Sequence, residues 1–396
     1  HQQVATRDRP ASLVVRATHA AYVLATSQTT STTDSRKDFL PALHRRAPCY
    51  EQRTLIAWGY HNPRHSNMGK YHWSIEHVEQ LRQLILSHRN IIILPHTAPD
   101  GDALGSTLAW AKVLQAVHPE ATIRVLSPDR IESYLSWLPY LDELLIYPEA
   151  EEECLRAISA ADLIFHLDHN QPSRLRYTPL IEAVEQSKAP HILIDHHLDP
   201  DPTFTLNFSY PEASATCELI HALILSLGWE QYITPEAATL LLTGIITDTG
   251  RFMYSHLSPE LFVTTSDLLA RGADYLYIID RLTYHNPEIQ IRLQGYVLDQ
   301  KLELYPDLRA ACIILTQEEL QRFGASKGDT EGLVNIPLTI EGIDCCCFIR
   351  EDKTQIKLSF RSTGTFPVNR LASAGFGGGG HLNAAGAEHQ GSIQEA

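Results

Sequence analysis

The chain has 396 residues, 44% of them hydrophobic, and a formal net charge of −15 at pH 7. That length can bury more than one core, no run of about 18 apolar residues suggests a membrane span, and the acidic balance removes the long-range attraction needed for long duplex nucleic acid. Seven cysteines without a CxxC pair argue against thiolate zinc sites and fit a reduced, cytoplasmic protein.

Residues 1–67 carry nine Lys/Arg against four Asp/Glu, a net of +5 that leaves −20 for the remainder, and show no sustained periodicity. The earliest methionine is Met68. We expect the authentic start there, with 1–67 a non-native or disordered extension; a transit-like presequence is the alternative. Tyr71-His-Trp-Ser-Ile-Glu then opens a capped helix. Ile91-Ile-Ile-Leu94 is a short β-branched apolar run without alternation, the pattern of a buried parallel strand. His96 and Asp100 follow in the loop at its carboxyl end, Gly101 allows a tight turn, and Asp102 opens a helix with Leu104, Leu108 and Val113 at helical spacing.

A further strand and helix lead to a short strand near Leu144–Tyr147, a helix, a strand over 162–167 ending at Asp168, another helix, and a strand over 191–195 ending in Asp195-His196-His197. This βαβ alternation predicts an α/β fold with a parallel sheet covered on both faces. Helices follow at Ala213–Leu227, Pro235–Ile246, Pro259–Arg271 and Pro287–Gln300, the second ending in Thr247-Asp248-Thr-Gly. A connector near 303–309 then leads to a smaller α+β domain. It holds a Cys345-Cys346-Cys347 run in a strand, where the three read as small core residues. Next come a strand Gln355–Arg361, a helix-like Val368–Ser373 stretch and Gly377–Gly380. Consecutive glycines make sense where backbone approaches a ligand or turns through positive φ. The small residues after them should open a helix whose N–H groups meet a phosphate.

The candidate chemistry lies where strands end. An aspartate at the end of an apolar strand loses hydration at a cost that a cation offsets. His96, Asp100, Asp102, Asp168, Asp195, His196 and Asp248 form four such clusters, so we expect a shared cation. An N-cap role is the competing reading for Asp102 taken alone. Adjacent His196 and His197 answer no packing need, whereas imidazole is the usual nitrogen donor to a divalent ion. Asp248 sits near a helix C-terminus, where the dipole disfavours an acid.

With these motifs in this order, and with Gly377-Gly-Gly-Gly380-His381-Leu-Asn-Ala-Ala-Gly386 near the end, the chain resembles the DHH phosphoesterase superfamily with its DHH-associated C-terminal domain. The likeness covers roughly residues 75–391, and the branch it resembles most is the NrnA-like one of stand-alone oligoribonucleases and pAp phosphatases. The resemblance implies a catalytic domain with its helical connector over 68–302 and a substrate-binding domain over 303–396, whose last helix is truncated. It implies two Mn2+ ions, with Mg2+, Co2+ or iron as substitutes: His96, Asp100 and Asp168 on one, Asp102, Asp168, His196 and Asp248 on the other. His197 would contact the scissile phosphate, and Asp195 would orient the histidine pair. Arg361, Ser362, Gly378, Gly379, Gly380 and His381 would hold the nucleotide. Arg174 and Asn335 match family positions of lesser weight, and Lys357 alternates as the wet face of a strand.

The implied substrates are short single-stranded RNA, cut to mononucleotides, and the 3′-phosphate of pAp, bound in the cleft between domains; a homodimer is left open. Residues 335–381 carry five Lys/Arg against four Asp/Glu, too little positive charge for long polyanions. A diadenylate phosphodiesterase and a RecJ-like single-strand exonuclease are the enzymatic alternatives. A degenerate nucleotide-binding regulatory protein is the non-enzymatic one.

Overall fold

In the computed structural model, β1 (Asn90–Leu94) is buried along Ile91–Leu94, and its side chains alternate between two cores. Ile91 and Ile93 enter one and Ile92 and Leu94 the other, which is why this strand needs apolar residues at successive positions. The structure describes residues 71, 73–253, 257–325, 327–352 and 355–391, all within one unit, 61–396. The expectations about residues 1–67, the start at Met68 and a truncated last helix lie outside the described residues.

The N-terminal sheet is wholly parallel, with β3 (Leu145–Ile146), β2 (Thr122–Ser127), β1, β4 (Leu163–Leu167), β5 (His191–Asp195) and β6 (Leu206–Ser209) in that spatial order. Helix α1 (Ile75–Ser87), with Ser74 as its N-cap, precedes the sheet. One face packs on α2 (Gly101–Val117), α5 (Thr216–Leu227) and α6 (Pro235–Asp248), the other on α3 (Glu151–Ser159) and α4 (Thr178–Gln186). The strand order reverses between β1 and β4. Their carboxyl ends border the crevice in which open α/β sheets bind ligands.

The remaining helices of this half are α7 (Pro259–Ala270), α8 (Tyr275–Thr283) and α9 (Glu288–Tyr296), the last continued by a wider turn over Val297–Lys301. No described helix is long and apolar enough to cross a membrane. The second sheet has the order β11 (Gly379–His381), β12 (Ala384–His389), β10 (Ile356–Ser362), β9 (Cys345–Glu351), β8 (Ala310–Leu315), β7 (Leu302–Tyr305). Only β8 and β9 run parallel within it. Helix α10 (Gln317–Phe323) carries a capping box from Thr316, and α11 (Val368–Phe376) packs on the sheet through Val368 and Ala372.

Several elements depart from the sequence reading. Strand β6 is new, too short at Leu-Asn-Phe-Ser to signal itself and placed by pairing with β5. Helix α8 is also new, capped by the Asp274 side chain. The expected connector near 303–309 is instead edge strand β7 and the turn into β8. No helix follows the glycine run: Ala384–His389 pairs antiparallel with β10, so tertiary pairing overrides the helical propensity of alanine. Within the cysteine run only Cys346 is buried, because alternate residues face opposite sides of β9 and the outer two are half-buried.

Candidate metal centre

Asp100 caps α2: its side chain accepts hydrogen bonds from the N–H groups of Asp102 and Ala103, at 3.0 and 3.1 Å. The N-cap role considered for Asp102 therefore belongs to Asp100. Asp102, 1% exposed, turns inward, where its carboxylate accepts from the Thr216 N–H at 2.6 Å and the Cys217 N–H at 2.9 Å. Those donors are the unsatisfied first turn of α5, so a helix dipole supports this buried charge. Close approach of α2 to α6 needs Gly244, since a Cβ there would lie 2.7 Å from Asp102 Oδ1 and 2.3 Å from Cys217 Sγ.

Asp168 follows β4 with φ +63°, a left-handed conformation that costs a non-glycine residue free energy and is held by its surroundings. The bend aims its carboxylate into the crevice. Oδ2 lies 3.4 Å from His96 Nε2, and Oδ1 lies 3.4 Å from His196 Nε2. The two oxygens of one carboxylate thus face two imidazoles. Thr216 Oγ1 also donates to Oδ1 at 2.9 Å.

Both imidazoles are oriented by carbonyls. His96 Nδ1 bonds to the Thr97 carbonyl at 2.7 Å, and His196 Nδ1 to the Ala213 carbonyl at 3.2 Å. A carbonyl only accepts, so Nδ1 carries the proton; Nε2 then either offers its lone pair to a cation or, when protonated, donates to the carboxylates. His96 Nε2 is 3.9 Å from Asp100 Oδ2; His196 Nε2 is 3.3 Å from Asp248 Oδ2 and 3.8 Å from Asp102 Oδ2. Three sets of ligand atoms lie within 4.8 Å of one another: His96, Asp100 and Asp168; Asp102, His196 and Asp248; Asp168, His196 and His197.

The cluster is electrostatically uncomfortable on its own. Burial, then the charges of Asp168 and Asp248, push the Asp102 carboxyl well above the usual carboxylate range. Burial pushes Asp248 up to about 7, against the pull of His196. Burial would also raise Asp168, but hydrogen bonds from His196 and His96 hold it well below. His96 is pushed up to about 9: burial opposes its charge, and Asp168 and Asp100 outweigh burial. Without a cation the site balances charge with protons. Oriented imidazoles and crowded carboxylates are the donor set of divalent ions such as manganese, and such ions would take the place of those protons.

His197 Nδ1 is 2.7 Å from Asp195 Oδ1 and 3.8 Å from Asp168 Oδ1. Asp195 therefore orients His197, while His196 takes its direction from Ala213. Asp195 is buried, yet this hydrogen bond holds its carboxyl below the usual range. Behind the cluster, His166 bonds to His169 and His191, each at 2.9 Å. Sequence reading missed Thr216, signalled only as a small polar residue in the first turn of α5, and Asp129. The latter accepts from the Thr97 hydroxyl, from the Ala98 N–H at 2.9 Å and from the Tyr177 hydroxyl at 2.7 Å, fixing the loop that carries His96. Arg174 contributes to that loop through its carbonyl, 2.9 Å from the Thr97 N–H.

The remaining predicted positions lie on the second sheet. Arg361 ends β10 half-buried, with Nη1 donating to the Phe360 carbonyl at 3.0 Å. Ser362 is buried; its hydroxyl donates to the Phe366 carbonyl at 2.7 Å and accepts from Asn383 Nδ2 at 2.9 Å. A Cβ on Gly378 would lie 2.1 Å from the Gly386 carbonyl, and one on Gly380, at φ +139°, 2.5 Å from the Ala384 carbonyl. These two glycines answer to the chain's own hairpin. A Cβ on Gly379 would meet nothing within 4 Å. The side chain of His381 lies outside the described residues.

Residues 90–245 match the DHH family, N-terminal domain, and residues 311–396 match the DHHA1 domain. The chain is 33% identical over 302 residues to the bifunctional oligoribonuclease and PAP phosphatase NrnA of Thermus thermophilus, spanning 76% of this chain and 84% of that one. It is 29% identical to the protein of the same name from Bacillus subtilis, over 78% of this chain and 92% of that one. Among solved structures, an exopolyphosphatase-related protein from Bacteroides fragilis superposes with a TM-score of 0.77 at 38% identity, covering 81% of this chain and 93% of that one.

Proposed function

The chain belongs to the DHH family and is a metal-dependent phosphoesterase; from that premise we propose that it hydrolyses very short RNA to mononucleotides and removes the 3′-phosphate of pAp with two Mn2+ ions. The observation that carries the two-ion reading is Asp168, whose separate oxygens stand 3.4 Å from His96 and from His196. His96, Asp100 and Asp168 would hold one ion, and Asp102, Asp168, His196 and Asp248 the other. Bound there, the ions would supply an activated water and compensate the charge that builds on the phosphoryl oxygens.

The chain's own residues do the rest. Thr216 fixes the rotamer of Asp168, and the carbonyls of Thr97 and Ala213 hold the two imidazoles by Nδ1. His197, steadied by Asp195, would face the scissile phosphate and hold a proton for the leaving oxygen. Arg361 and His381, beside the backbone of the Gly378, Gly379 and Gly380 hairpin, would hold the far phosphate or nucleotide; Ser362 would pin the strand end that carries Arg361. The NrnA relatives named above support this substrate class. Low positive charge over 335–381 supports small substrates, gripped by ions and a few donors rather than by a long basic track.

The test measures turnover of a fluorescent dinucleotide, pAp, a longer RNA and cyclic diadenylate by the Mn2+-loaded protein and by Asp168→Ala. Wild-type turnover by Asp168→Ala would sink the two-ion reading. Preference for cyclic diadenylate over the dinucleotide and pAp would replace the substrate class while leaving the chemistry.

A further inference from the structure

Cys312 on β8 and Cys347 on β9 are direct register partners in the parallel pair. Register partners leave the same face of a sheet, here the face that also carries Ile314 and Phe360 and packs on Phe376 of α11. Cys345 lies two residues along β9 on that face, while Cys346 enters the opposite core. Cys312 and Cys347 are both half-buried, so a small oxidant can reach them. A hydrogen bond from Cys347 holds the Cys312 thiol below its ordinary value. The same bond, with burial, drives Cys347 up.

We propose that Cys312 and Cys347 are a reversible thiol–disulfide modification site, oxidised by a hydroperoxide. The Cys312 thiolate attacks a peroxide oxygen and breaks the O–O bond, giving a sulfenic acid and one hydroxide that takes up a proton as water. Cys347 sulfur then attacks the sulfenyl sulfur, an S–S bond forms, and the second oxygen leaves as water. The two thiols together lose two protons and two electrons, and one hydrogen peroxide takes them up to become two waters. Adjacent strands about 4.7–4.9 Å apart put the Cα atoms within the ~4.4–6.8 Å that a disulfide spans, but direct parallel partners keep their Cβ atoms wider than its ~3.5–4.5 Å. The bond must draw β8 toward β9, and that strain makes it easily reduced.

The experiment treats the reduced full-length chain with hydrogen peroxide, blocks free thiols with iodoacetamide, and maps tryptic peptides without reductant. Cys312 falls in peptide 310–322 and Cys347 in peptide 328–350. The expected product joins these peptides through Cys312 and Cys347, two hydrogens lighter than their sum, and dithiothreitol separates them. Cys312→Ser should lose the link and Cys345→Ser keep it. Should Cys312→Ser not fold, fragment spectra of the wild-type cross-link assign the sulfurs directly. Recovery of both peptides as alkylated thiols or as sulfinic acids, or a bond to Cys345, would overturn the proposal.

Discussion

At the carboxyl ends of β1 and β4 the polar side chains are crowded and fixed: Asp102 and Asp168 are 1% and 2% exposed, and each is held by donors from α5. In the glycine-rich hairpin of the second sheet the backbone is the crowded part, with Gly378 and Gly380 pressed against β12, while Arg361 stays half-buried and Gly379 faces open space. The first region stores unfavourable electrostatics that a divalent ion would relieve. The second stores none and offers donors. Ligand binding should therefore change stability strongly at the first and weakly at the second.

The largest expected effect comes from breaking the first region. Asp168→Ala should lower kcat/KM for a dinucleotide by at least about a thousandfold, some ~4 kcal/mol of barrier, and plasma emission spectroscopy should show less bound metal. Gly244→Ala should cost about 1–3 kcal/mol by overpacking α6 against Asp102 and Cys217, read as a lower Tm together with weaker metal binding. A loss of Tm with unchanged metal affinity would mean that the helix contact does not position Asp102. Thr216→Val, which removes the hydroxyl on Asp168, should weaken metal affinity about 10–100-fold, measurable by calorimetric titration.

A pH series sharpens the contrast. His96 is raised to about 9, so its contribution to stability is full below its unfolded value near ~6.5 and fades as pH rises through about 9. Asp248 is raised to about 7, so its ionisation in the folded state grows costlier from about pH 4 to that value. Asp168, held low, acts oppositely but only below about pH 4. Metal-free protein should lose stability as pH rises, and Mn2+ should raise Tm more near pH ~9 than near pH ~6; an equal gain at both would show that protons do not occupy the ions' place. The smallest effect belongs to the second region. His381→Ala should raise KM for the dinucleotide while metal content and Tm stay unchanged; lost metal would move that histidine to the first region.

Much of the first region was legible because each candidate ligand stands beside a strong local signal. An apolar β-branched run announces a buried strand, and an acid or histidine directly after it can reach one shared edge of the sheet. His96, Asp100, Asp102, Asp168 and His196 could be picked out one strand end at a time, and Asp248 as an acid at the wrong end of an apolar helix. The second region was less legible, since alanines and glycines after Gly380 fit a helix locally and become β12 only through pairing with β10. Of the three cysteines read as core, Cys346 is buried while Cys345 and Cys347 are half-buried: a run of three residues in a strand cannot show how well each face is covered.

The sequence by itself determined the alternation of strands and helices, and which polar residues stand at strand ends, because both depend on hydrophobic period and local turn chemistry. Only the tertiary structure decided that Asp168 faces two imidazoles at once, that α5 lends its N-terminus to Asp102, and that Asp195 orients His197 while Ala213 orients His196. Those relations join residues up to 115 positions apart. Helix packing, such as the approach that Gly244 permits, sets their distances, and no local pattern encodes it.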